Sequence, residues 1–312
     1  MTLPPAYRST FRAMGSPCEV QLVAGDDAAA RSIAGAIVAL VEALEARHSR
    51  YRPASVLGGI NRVAAVGGTI DVDDETASLL DYAATCHRES GGLFDITSGV
   101  LREAWDFASA RLPDPSRVAA LLPRVGWDKV LWRRPTLRFT VPGMELDLGG
   151  IVKEYAADRS AALAREWGAT GGLVNLGGDI AIVGPRADGG PWRIGVRDPD
   201  GAGAALASVR LRAGALASSG DYERCIVVDG VRYGHLLHPR TGMPVRGLAA
   251  VSVTAELCVV AGSAATIAML KEDDGPAWLA GLGLPHLWVD AGGRIGGSLA
   301  DGAGANRGGD DA

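Results

Sequence analysis

Two hydrophobic rhythms run through the chain, an alternation of period two and a recurrence every three or four residues, and they follow one another without a simple βα cycle. Tyr7 to Val23 alternates and predicts a strand or hairpin, interrupted at Met14-Gly15-Ser16-Pro17. Asp26 and Asp27 are placed to cap a helix in which Ile33, Ile37, Val41 and Leu44 form one stripe, ending near His48. A polar loop, Ser49-Arg50-Tyr51-Arg52-Pro53, follows. Asp71 to Asp74 offers caps for a second helix through Leu79, Leu80, Ala83 and Ala84 to Glu89. Ser90 to Gly99 then reads as a helix-to-helix connection whose Asp95 and Thr97 cap the next element. Pro113 to Val125 predicts a short amphipathic helix, and Val130 to Thr140 a strand pair around Pro135.

The stretch Glu145 to Gly184 is the centre of the pattern. Leu146-Asp147-Leu148 reads as a strand, Gly149-Gly150 as a tight turn, and Val152 to Trp167 as a helix with Ala156, Ala162, Leu163 and Trp167 on one face. Gly168 suits the left-handed stop. Leu173 to Leu176 and Ile180 to Val183 are strands joined by Gly177-Gly178-Asp179. A glycine turn that opens a helix directs backbone N–H groups and a positive dipole end at an anion. Lys153 in the first turn opposes that dipole, so it either faces a phosphate or is a solvated lysine on a plain crossover; the pattern alone weighs these equally.

Beyond the centre, Trp192 to Val196 and Leu206 to Leu211 predict strands. Asp229-Gly230 between two apolar runs is the strongest hairpin signal in the chain. Its second strand runs into His235-Leu236-Leu237-His238-Pro239. In extended backbone His235 and His238 point to opposite faces, so a joint metal site is not expected, and a single acid/base histidine or a packed one is. Ala249 to Thr254 reads as a strand, Val259 to Leu270 and Ala277 to Leu282 as helices, and the end as a hairpin. The tail from Ser298, glycine-rich and acidic, is expected to be disordered, leaving residues 1–297 as a single domain.

Composition changes this picture little. A hydrophobic content of 47% is enough for a sizeable core, and a net charge of -5 without a basic run argues against nucleic-acid binding. Cys18, Cys86, Cys225 and Cys258 form no CxxC pair, so buried thiols are expected rather than a zinc or disulfide framework. No signal core or membrane-length run is present, which makes the cytoplasm the expected place and a membrane partner unexpected.

Taken in order, several short motifs resemble the ApbE family of flavin transferases. They are Met14-Gly15-Ser16, Ser49 to Asn61, Phe94-Asp95-Ile96-Thr97, Asp147-Leu148-Gly149-Gly150 with Lys153, Tyr155 and Asp158, Asn175 with Gly177-Gly178-Asp179, Ser218 to Tyr222, and His235 through Gly242. Each is weak alone, but their shared order from Phe11 to about Ile295 carries the resemblance. It implies a protein that moves FMN from FAD onto a threonine of an acceptor protein, with AMP leaving and Mg²⁺ assisting. It implies FAD contacts at Met14, Tyr51, Leu93, Phe94, Asp95, Asp147, Lys153 and Leu236, and His235 as the base. The implied fold is α+β, with mixed, largely antiparallel sheets in two interlocked subdomains around an FAD cleft.

One departure bears on the metal. The family's ligands match the backbone of Gly150 and an Ala-Asp-x-x-x-Thr helix start, here Ala261-Gly262-Ser263-Ala264-Ala265-Thr266. Thr266 is present, but Gly262 supplies no carboxylate where Mg²⁺ would take one. The expectations are then a weakened metal site, rescue by another acid such as Asp221, or a flavin binder without transfer. FAD hydrolysis to FMN and AMP is a further variant. On this reading Gly262→Asp should tighten the site.

Overall fold

Strand pairing starts where the alternation does. In the computed structural model, which describes residues 6–109, 111–199, 201, 205–222 and 224–300, β1 (Tyr7–Ala13) and β2 (Ser16–Val23) pair antiparallel. Met14 (φ 51°) and Gly15 (φ 73°) make the two-residue turn between them, and positive φ at both positions matches the twist of the strands. Helix α1 (Asp27–His48) opens on Asp26, whose carboxylate accepts from the Ala29 N–H at 2.7 Å. Ile33, Ile37, Val41 and Leu44 are buried along it.

Helix α2 (Val56–Val66) is not evident in the hydrophobic pattern. Gly58 and Gly59 lower its propensity, yet Ser55 caps it through the Gly58 N–H at 2.7 Å. A Cβ at Gly58 would lie 2.6 Å from the Arg52 carbonyl oxygen, so the glycine is what lets the preceding loop close over the helix. Then come β3 (Thr69–Asp71), α3 (Asp74–Glu89) capped by Asp73, a 3₁₀ helix over Ile96–Glu103 capped by Asp95, and α4 (Pro115–Leu121). Strands β4 (Val130–Arg133) and β5 (Thr136–Phe139) join β3 in a three-stranded sheet.

Residues 145–148 are not a strand. The polar groups a ladder would use are taken otherwise: the Asn61 side chain donates to the Leu146 carbonyl at 3.0 Å and accepts from its N–H at 2.8 Å. The Asp147 N–H donates to the Ile96 carbonyl at 2.7 Å. Helix α5 (Val152–Glu166) follows, and its buried face is made of Ala156, Ala157, Ser160, Ala161 and Ala164 together with Glu154. Trp167 is exposed, not part of that face, because small residues are what let α5 lie close to its neighbours.

The remaining strands are β6 (Gly171–Leu176), β7 (Asp179–Gly184), β8 (Trp192–Arg197), β9 (Ala205–Leu211), β10 (Ala215–Gly220), β11 (Cys225–Val228), β12 (Val231–Gly234) and β13 (Leu248–Ala255). Helices α6 (Cys258–Leu270) and α7 (Gly275–Leu282) precede β14 (His286–Asp290) and β15 (Ile295–Gly296). The main sheet has the order β1-β2-β6-β7-β10-β13-β14-β15, and every strand pair among the described residues is antiparallel.

This α+β architecture explains why β7 reads as continuously apolar. Ala181 and Val183 face the core shared with α1, α5 and α6, while Ile180 and Ile182 face the β8–β9 hairpin on the other side. A third cluster joins Val100, Leu101, Trp105 and Val118 to Ile226 of β11, so the hairpin leading to His235 rests on the 3₁₀ segment and α4. Ser298 and Leu299 still hydrogen-bond His286, and the rest of the expected tail, residues 301–312, lies outside the described residues.

Candidate functional site

The glycine turn Gly149-Gly150 delivers the chain into α5, and two charged side chains leave the first turn in different directions. Lys153 Nζ lies 2.6 Å from Asp179 Oδ2, and Asp179 stands at the start of β7 with its side chain 3% exposed. The other carboxylate oxygen accepts from the Ser218 N–H at 3.3 Å. The lysine is therefore ion-paired across the turn between β6 and β7, not solvated. Gly177 in that turn has φ 65°, and a Cβ there would sit 2.7 Å from Ser16 Cβ, so only glycine lets the β1–β2 turn approach so closely.

Glu154 turns inward. It is 6% exposed, and its Oε2 has no hydrogen-bond partner. Burial first, and then the charge of Asp179, pushes its carboxyl well above the usual carboxylate range. It packs against Gly262 of α6, where a Cβ would be 2.6 Å from Glu154 Cγ and 2.9 Å from Oε1. One turn further along α6, the Thr266 hydroxyl is 2.8 Å from that of Ser219 in β10. An aspartate at position 262 would therefore have to displace the Glu154 side chain. Asp221 is held by Arg232 at 3.2 Å, and the acid occupying the space beside Gly262 is Glu154.

The other expected residues divide into those presented outward and those used by the fold. Asp147 pairs with Arg50 at 2.7 Å and accepts from the Gly149 N–H at 2.9 Å, which shapes the glycine turn. Arg50 in turn lies over the Tyr51 ring, 5.0 Å from its centroid, and Tyr51 is 66% exposed. Phe94 is buried, its ring 3.5 Å from where a Gly150 Cβ would stand. Leu93 and Leu236 are half-buried at the edge of the main core.

Asp95 is spent on structure. It accepts from the Thr97 N–H (2.8 Å), the Thr97 hydroxyl (2.6 Å) and the Trp127 N–H (2.9 Å). Met14 lines an open cavity of about 670 Å³ with Arg12, Ser16, Glu42, Glu45 and Arg52; none of the other expected flavin contacts lines it. His235 is exposed where β12 ends.

Among residues given no role from sequence, Asp158, part of the motifs that carry the resemblance, is the clearest. α6 has no side-chain cap of its own, and Asp158 on α5 accepts from the N–H groups of Cys258 (2.7 Å) and Val259 (3.0 Å). Glu154 was also missed. Its signal is an acidic residue on the stripe of Ala157, Ala161 and Ala164, where helical spacing puts it on the buried face. Among the described residues, no three His, Cys, Asp or Glu side chains converge as a metal cluster, and no helix is long and apolar enough to cross a membrane.

Comparison with known proteins adds to this geometry. A model of the ApbE family matches residues 14–288. A Rhodobacter capsulatus protein named FAD:protein FMN transferase is 31% identical over 90% of this chain, which spans 54% of that protein's length. A Haemophilus influenzae protein of the same name is 29% identical, with 76% of this chain and 72% of the relative covered. The crystal structure of the ApbE protein of Thermotoga maritima superposes with a TM-score of 0.86 at 33% identity, covering 94% of this chain and 97% of that one.

Proposed function

Since the chain belongs to the ApbE family, we propose that it is an FAD:protein FMN transferase acting on a threonine of an acceptor protein. The threonine oxygen forms a bond to the FMN phosphorus, the anhydride bond to the AMP phosphate breaks, and AMP leaves with the electron pair. The observation that carries this reading is Lys153, in the first turn of a helix opened by Gly149-Gly150 and held by Asp179 at 2.6 Å. A cation fixed beside a helix N-terminus suits the pyrophosphate, whose charge grows on the departing AMP.

His235 takes the hydroxyl proton, and its exposure at the end of β12 lets a protein-borne threonine reach it. Met14, Tyr51, Leu93, Phe94, Asp147 and Leu236 hold the flavin and adenine, with Arg50 fixing Tyr51 and Asp147 together. The donors suit Mg²⁺: the Thr266 hydroxyl and the Gly150 backbone oxygen, the positions the resemblance assigns to it, are hard oxygens, and Glu154, packed against Gly262 one turn from Thr266, has a buried carboxylate oxygen without a partner. When bound, Mg²⁺ supplies charge neutralisation on the pyrophosphate. The thiols of Cys18, Cys86, Cys225 and Cys258 are unpaired, which suits a reducing cytoplasm.

The test is incubation with FAD, Mg²⁺ and an acceptor domain bearing a candidate threonine. Release of AMP together with a mass gain of one FMN on the acceptor is expected. AMP released without acceptor labelling would make the chain a hydrolase, and FAD bound without AMP release a flavin binder.

A further inference from the structure

We propose that Glu154 is the cation-binding carboxylate of this chain, reaching from α5 into the place that a side chain at position 262 of α6 would fill. The proposal rests on the transferase reading above. Its first support is volume: a Cβ on residue 262 would meet Glu154 Cγ at 2.6 Å and Oε1 at 2.9 Å, so the glycine and the glutamate are the two halves of one packing arrangement. The carboxyl group is present at the α5–α6 contact, but it is mounted on the opposite helix.

Its second support is the unpartnered oxygen. Oε2 of Glu154 is buried with no hydrogen bond, an arrangement that is costly unless something else satisfies it. Asp179 can accept from this carboxyl only while Glu154 keeps its proton, and Lys153 is directed at Asp179 by a 2.6 Å pair. Thr266 lies one helical turn from Gly262 and so on the same face of α6. Its hydroxyl, oriented by Ser219 at 2.8 Å, is a neutral oxygen donor. One carboxylate, neutral protein oxygens and substrate phosphates make the donor set that Mg²⁺ or Mn²⁺ takes, the ion keeping several waters. Asp221, the other acid weighed for the role, is held by Arg232 at 3.2 Å.

The experiment follows Mn²⁺ binding by electron paramagnetic resonance of the free ion, with the purified full chain, in the presence and absence of FAD. Glu154→Gln keeps the shape and removes the charge. It should weaken Mn²⁺ binding by at least about tenfold, the lower bound seen even for partners of metal ligands, without lowering the melting temperature in metal-free buffer. Glu154→Gly combined with Gly262→Asp moves the carboxylate across the helix contact and should regain most of the affinity. Gly262→Asp alone crowds Glu154 and should lower the melting temperature.

Unchanged Mn²⁺ affinity in Glu154→Gln would overturn the proposal and leave Glu154 as a neutral filler opposite a glycine. AMP release by that variant at the wild-type rate would leave the transferase reading standing while the carboxylate assignment fell. A Gly262→Asp protein that binds Mn²⁺ more tightly with no loss of melting temperature would refute the volume argument.

Discussion

Lys153 and Asp179 join stability to the proposed chemistry in one residue pair. The aspartate is buried and the lysine is its counter-charge, so Lys153→Ala leaves a buried carboxylate without its cation. Such a loss costs roughly 3 kcal/mol, and it should appear in urea unfolding even without FAD, while calorimetry shows weakened FAD binding. His235 should behave oppositely. Because it is exposed and is the proposed base for the acceptor hydroxyl, His235→Asn should leave unfolding and FAD affinity nearly unchanged and cut FMN transfer roughly 100- to 10,000-fold. A variant that transfers at the wild-type rate in a rapid-quench assay would move the base elsewhere. At this scale the residue types were legible in sequence. The cap at Asp95 was legible too; what was not legible was that the same carboxylate also accepts from the Trp127 N–H, far along the chain.

Elements are joined by side chains that cap one another across space. Asp158 on α5 accepts from the first two N–H groups of α6, the helix that carries Gly262 and Thr266. Asp158→Ala should cost about 2 kcal/mol, the upper end for a cap, since both oxygens are used. Through the position of Thr266 it should also weaken cation binding more than its distance in sequence from that helix suggests. Parallel urea and Mn²⁺ titrations check both. Periodicity found α1, α3, α5 and α6 because each lays a regular apolar or small face on the core. It missed α2, whose paired glycines dilute the pattern, and it read residues 145–148 as a strand because their alternation was correct although their hydrogen bonds go to Asn61 and Ile96.

Whole-molecule stability carries a pH signature from His48 at the end of α1. It is buried, with Nδ1 3.2 Å from the Leu44 carbonyl oxygen and Nε2 unpartnered. Burial lowers its pKa below the usual 6.5, against the smaller opposing pull of Glu75. A depressed folded-state value means that the unfolded chain binds the proton more readily. Stability from the neutral ring is then full above pH 6.5 and lost as pH falls through the folded value. Urea midpoints at pH 7.5 and pH 5.5 should differ less in His48→Leu than in the wild type. An equal difference in the two proteins would assign the pH dependence to other groups.

By itself the sequence determined the family, the order of most elements and the residue types at the site, because hydrophobic period, caps and glycine turns are local properties that survive in a linear reading. The tertiary structure alone decided which side chains meet. The absence of a carboxylate at Gly262 read as a loss, since a sequence shows position 262 but not the helix lying against it. Packing α5 on α6 puts Glu154 into that volume, and burial there, not residue type, is what leaves its oxygen without a partner. Contacts of this kind join residues more than a hundred positions apart, and only the folded chain brings them within reach of one another.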